Sequence, residues 1–85
     1  MTVVAFKTKT EVFAFCDNWR EMGNQARIIP TPKEIKIGCG FAVEISPGSA
    51  NTAYYFVKKG HFPTFVGIFT VKRFGGKTSA RKNFN

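Results

Sequence analysis

Hydrophobic and polar positions along the chain change period five times, and each change marks an element boundary. Thr2–Lys7 is an apolar, β-rich run that predicts a first strand. Thr8-Lys9-Thr10-Glu11 follows with the spacing of a capping box, in which the Thr hydroxyl and the Glu carboxylate each satisfy a free amide at a helix start. Val12, Phe15, Cys16, Trp19 and Met22 then recur at steps of three and four, which makes one apolar helical stripe, and Gly23 offers the left-handed residue that stops it. Asp17, Asn18, Arg20 and Glu21 take the wet side.

Beyond the turn at Gly23-Asn24, Gln25–Ile29 suits a second strand, ended by Pro30 and Pro32 because proline removes ladder donors. Residues 30–40 read as a shaped loop, Phe41–Ile45 as a third strand, and Ser46-Pro47-Gly48-Ser49 as a turn whose last residue can cap a second helix. That helix, about Ala50–Lys59, carries Ala53, Phe56 and Val57 on one face and ends at Gly60. Phe65–Val71 is apolar on both faces except Thr70, as expected of a strand with little solvent contact or of an oligomer contact such as a homodimer. The order βαββαβ predicts the α+β class and a ferredoxin-like sandwich, a four-stranded antiparallel sheet with two helices on one face. Residues 1–74 are expected to form this single domain. Gly75–Asn85 is polar, cationic and glycine-containing, and reads as a flexible basic extension.

Composition narrows the function. The chain has 85 residues, 44% hydrophobic, with 10 phenylalanines. A domain of this size buries only about 60–65% of its unfolded surface, so a large multi-domain enzyme is excluded. No apolar stretch approaches the roughly 20 residues of a membrane-spanning helix. The first residues carry neither a charged leader nor a small-residue cleavage site, so a cytoplasmic location is expected. In a reducing compartment Cys16 and Cys39 stay thiols. The net charge of +8 is concentrated at one end: Lys72, Arg73, Lys77, Arg81 and Lys82 have no acid among them, which leaves 8 basic against 5 acidic residues before them.

The chemically unusual stretch is Ile28 to Glu44, where Cys39 stands between Gly38 and Gly40 at the junction of a proline-stiffened loop and a strand. Flanking glycines remove steric cover and let another molecule approach the sulfur. Lys33 and Lys36 lie in the same loop, where an ammonium near Cys39 favours the thiolate and attracts an acidic surface, while Pro30 and Pro32 stiffen the loop. The bland reading is a small buried hydrophobe in a tight turn. Cys16, inside the helix stripe, reads as core. Two cysteines 23 positions apart and the lone His61 match no zinc spacing. His61 suits local capping after Gly60, and Tyr54 and Tyr55 suit one packed and one edge position on the second helix. No cofactor is expected, and Gly75-Gly76-Lys77-Thr78-Ser79 lacks the earlier glycine and the strand-to-helix context of a phosphate loop.

Pro30-Thr31-Pro32-Lys33-Glu34-Ile35 followed by Cys39-Gly40-Phe41-Ala42 resembles the signature of the selenium/sulfur carrier-like family, small bacterial proteins. The resemblance implies one cysteine, here Cys39, that accepts sulfur or selenium as a persulfide or selenopersulfide and relays it from a cysteine desulfurase-type donor to an acceptor protein. Such a carrier is a stoichiometric relay rather than an enzyme. The chain departs from the pattern at Lys33, where arginine is common, and at Lys36, Ile37 and Gly38, which replace small polar residues. Two alternatives come from other classes: a small partner-binding or regulatory module with inert cysteines, and a single-stranded RNA-binding domain that uses the basic extension.

Overall fold

Thr2–Phe6 (β1) is buried at all five positions, a pattern that a strand reaches only with neighbours on both sides and cover on both faces. In the computed structural model, which describes residues 1–36 and 38–84, β1 is the central strand of an antiparallel sheet. The other elements are α1 (Lys9–Glu21), β2 (Ala26–Pro30), β3 (Phe41–Ile45), α2 (Ala50–Lys59), β4 (Phe65–Phe74) and β5 (Lys77–Phe84). A single 3-10 turn, Pro47–Ser49, leads into α2. The fold is α+β, with two helices and a five-stranded sheet in the order β2-β3-β1-β4-β5 among the described residues. The expected Ile37 and Asn85 positions, in the loop and at the end of the extension, lie outside those residues.

Alternation along β1 divides the core in two. Val4 and Phe6 face the helices with Val43, Ile45 and Ile68 of the sheet, Val12, Phe15, Cys16 and Trp19 of α1, and Ala53 and Val57 of α2. The Phe15 and Trp19 rings stack at 5.5 Å, and Phe6 lies 5.5 Å from Phe15. Each such side chain contributes about 1.5–3 kcal/mol on full burial. Val3 and Ala5 face the opposite side with Ala42, Val66, Phe69 and Val71, and Ile35 from the β2–β3 loop folds over this second cluster. Ile68 of β4 is therefore covered on the helix side, and Val66, Phe69 and Val71 on the other.

Four expectations are corrected. The sheet has five strands rather than four, because the polar segment expected as a loose extension pairs with β4 from Phe74↔Lys77 to Ile68↔Phe84. Gly75 and Gly76, at φ 50° and 83°, form the two-residue turn whose positive angles match the twist of a hairpin. Order in β5 comes from main-chain pairing, with Ala80 and Phe84 as its apolar contacts. Met22 is 55% exposed, since α1 ends before it and the chain turns away. The capping box is half formed: Thr8 Oγ1 accepts the Glu11 N–H at 3.4 Å, but the Glu11 carboxylate accepts the N–H of Thr64 at 3.0 Å. Ser49 precedes α2 without a side-chain cap. No helix among the described residues is long and apolar enough to cross a membrane.

Gly67 has no room for a side chain. A Cβ there would stand 2.5 Å from the Phe84 carbonyl oxygen and 2.7 Å from Lys82 Cε. Its absence lets β5 close against β4 and lets Phe84 stack on Tyr54 of α2 at 4.6 Å.

Candidate functional site

The loop between β2 and β3 is held at its base and its apex. Pro30 is the last residue of β2, an edge strand where a missing donor is tolerated, and it pairs in register with Phe41. Thr31 N–H donates to the Gly40 carbonyl at 2.9 Å and closes the base. Ile35 N–H donates to the Pro32 carbonyl at 2.9 Å, and the Ile35 side chain, 5% exposed, is sunk into the outer-face cluster.

Cys39 sits in that loop between Gly38 at φ 139° and Gly40 at φ 93°, angles that residues with side chains rarely adopt. A Cβ on Gly38 would also stand 3.4 Å from the Phe6 carbonyl oxygen. Both glycines are thus required by the path of the backbone. Cys39 is half-buried: one side packs against the helix-side core, its thiol donates weakly to the Phe41 carbonyl at 3.5 Å, and the other side is open to solvent. Cys16 is fully buried, and burial pushes its thiol up, against a smaller opposite pull from Arg20. The two cysteines are therefore unlike in reach.

Lys33 and Lys36 are exposed and line a recess of about 200 Å³ with Thr31, Pro32, Ile35, Gly38 and Gly40. Cys39 is not in its wall, and packs partly against the helix-side core instead. The loop therefore brings the expected residues into one segment, with the cations and the sulfur on different sides of it. The Thr31 hydroxyl oxygen is buried beside this recess, with no hydrogen-bond partner among the described residues.

The residue whose carbonyl accepts from the Cys39 thiol, Phe41, has neighbours that the sequence pattern did not single out. Phe41, next but one to Cys39, is 36% exposed; Phe13 of α1 is 44% exposed and 6.5 Å from it; and Lys9 Nζ lies 5.3 Å above the Phe41 ring. Phe13 was legible as an aromatic residue off the helix stripe. Phe41 was not, because its alternation with Val43 and Ile45 makes it look like core.

Elsewhere, exposed His61 borders a 480 Å³ surface cavity with Val57, Lys58, Gly60, Phe62, Pro63 and Phe65, and no acid lines it. Tyr54 is packed and Tyr55 is 65% exposed. Among the described residues no three His, Cys, Asp or Glu side chains converge.

The chain belongs to the family described as "Putative Se/S carrier protein-like", whose model matches residues 1–64, from β1 through α2 to the residue before β4. No curated protein and no solved structure matches the chain.

Proposed function

We propose that this protein is a sulfur or selenium carrier that accepts the atom on Cys39 and hands it to a partner. One observation carries this reading: within residues 1–64, the span of the family match, Cys39 is the cysteine left partly exposed, whereas Cys16 is sealed in the core. In loading, the Cys39 thiolate attacks the outer sulfur of a donor persulfide. A bond forms between Sγ and that sulfur, the donor's S–S bond breaks, and its electron pair leaves on the donor thiolate. The product is a persulfide on Cys39, and the transferred atom keeps its oxidation state.

Gly38 and Gly40 give the donor access, and Pro30 and Pro32 limit the motion of the loop. Lys33 and Lys36 present positive charge to an acidic donor surface, while Phe13 and Phe41 supply apolar contact beside the sulfur. No acid–base group is needed beyond those of the partner, so the protein acts as a stoichiometric relay rather than an enzyme. The βαββα order and the strand sequence β2-β3-β1-β4 support a ferredoxin-like unit extended by β5.

Incubation with a cysteine desulfurase and cysteine, followed by intact-mass and peptide measurement, tests the proposal. The expected result is a mass increase of one sulfur atom on Cys39, absent from Cys39→Ser and reversed by a reducing thiol. No loading from any of several desulfurases, or loading on Cys16 alone, overturns it.

A further inference from the structure

The helix-side face of the sheet changes character along the β4–β5 hairpin. At its inner end the pair Ile68↔Phe84 lies under α2, with Tyr54 stacked on Phe84. Two and four residues further along β4, Thr70↔Arg81 and Lys72↔Ser79 share that same face, since alternate residues of a strand point the same way. Thr70, Lys72, Ser79 and Arg81, with Asn83, line a cavity of about 330 Å³. Every one of these side chains can donate a hydrogen bond, and none is acidic. Asn83 Nδ2 donates to Thr70 Oγ1 at 2.5 Å, which leaves the Thr70 hydroxyl proton free to point into the cavity.

Three further observations bear on what this face binds. Arg27–Glu44 is the one ion pair among the described residues, so Lys72 and Arg81 are not neutralised by a carboxylate. Residues 65–84 contain no acid at all. On α2, which covers the inner end of the row through Tyr54, Tyr55 is 65% exposed and packs edge-on against Tyr54 at 6.0 Å, while Lys58 Nζ lies 5.3 Å over the Tyr54 ring. The face therefore offers a row of unpaired cations and hydroxyl donors, and the helix that covers its inner end carries an exposed aromatic ring.

We propose that this face binds single-stranded nucleic acid, with Lys72, Arg81, Thr70 and Ser79 on the phosphates and Tyr55 stacked on a base. A cationic row with an exposed ring on the neighbouring helix suits a polymer that alternates flat bases with phosphates, and a duplex hides its base faces from such a ring. The cationic row lies outside the span of the family match, and the site does not rest on Cys39.

Fluorescence anisotropy with the full chain and labelled oligouridine, oligothymidine and duplex RNA of equal length, together with a sedimentation assay on anionic phospholipid vesicles, tests the proposal. Binding to either single strand is expected to exceed binding to the duplex. Lys72→Gln/Arg81→Gln should weaken it about tenfold and flatten the salt slope by about 1.4, the loss of two phosphate contacts on a single strand. Tyr55→Ala should weaken it about fivefold or more, and the charge-preserving Lys72→Arg/Arg81→Lys should retain it. Circular dichroism checks that each variant stays folded, as expected for exposed positions. Equal or tighter binding of the duplex, an unchanged salt slope in the double variant, an unchanged affinity in Tyr55→Ala, or binding to vesicles alone overturns the proposal.

Discussion

The Glu11 carboxylate accepts the backbone N–H of Thr64 at 3.0 Å, across 53 residues of sequence. The contact ties the first turn of α1 to the segment that launches β4, beside the Lys7 N–H bond to the Thr64 carbonyl at 2.8 Å. Glu11→Ala leaves the Thr64 amide without that acceptor and should cost about 1–3 kcal/mol, as for a hydrogen bond to a charged group. Glu11→Gln keeps an acceptor oxygen and should lose less. Urea unfolding of the two variants measures the difference, and equal losses would show that charge rather than acceptance matters.

The two thiols should separate cleanly by alkylation. Cys39, half-exposed, should react with iodoacetamide in the folded protein, and Cys16, fully buried, only after denaturant is added. Peptide mapping after a timed quench reads this directly. Early labelling of Cys16 would mean that α1 opens readily from the sheet.

Burial also gives Cys16 a pH signature. Its folded pKa is raised above the unfolded value, chiefly by desolvation. The stability this confers is whole below the unfolded thiol pKa, about 8.5, and is lost as pH rises from there through the folded pKa. Wild type should therefore lose stability above about pH 8.5 more steeply than Cys16→Ala, whose cavity cost does not vary with pH. Parallel curves would contradict the assignment.

Gly38→Ala and Gly40→Ala place a side chain at φ 139° and 93°, and each should cost about 1–3 kcal/mol. The cost in both comes from the backbone angle, since an added Cβ on Gly38 comes no nearer than 3.4 Å to the Phe6 carbonyl and nothing lies within 4 Å of one on Gly40. If the loop serves Cys39, both variants should load sulfur more slowly at temperatures where they remain folded. Phe41→Ala, at a position already 36% exposed, should slow loading with little change in melting temperature. A matched loss of stability and loading in Phe41→Ala would reduce its role to packing.

Gly67→Ala should displace β5, since its Cβ would meet main chain rather than a yielding side-chain end. A loss of about 1–3 kcal/mol is expected from overpacking. Amide exchange should quicken at Lys82 and Phe84 more than in β1. Uniform quickening would indicate global rather than local loosening.

Six elements were legible from apolar periodicity because each buries a regular set of side chains: β1 by its unbroken run, α1 by Val12, Phe15, Cys16 and Trp19, α2 by Ala53 and Val57. β5 was not, since Lys77–Phe84 holds mainly polar residues and is ordered by the backbone of its neighbour. Gly75-Gly76, two residues between pairable segments, was the readable sign of a hairpin. At the candidate site the glycine-flanked cysteine stood out in the sequence. The direction of its thiol did not, because the side of the loop on which Lys33 and Lys36 fall depends on how Ile35 anchors it to the sheet. Phe13 beside Phe41 is likewise a tertiary meeting that no local pattern encodes.

The span of recognisable family sequence and the unit that can stand in water do not coincide. β1 pairs with β4 from Thr2↔Thr70 to Phe6↔Phe65, wholly beyond the matched residues 1–64. Cut at that border, the chain would expose one whole edge of its central strand and uncover Val3, Val4 and Phe6, an invitation to pair with another copy. The hairpin is thus structurally indispensable while most of its outward side chains are free of any packing duty. Main-chain bonds hold it in place whatever those side chains are, so charge can be added there without disturbing the cysteine loop across the sheet.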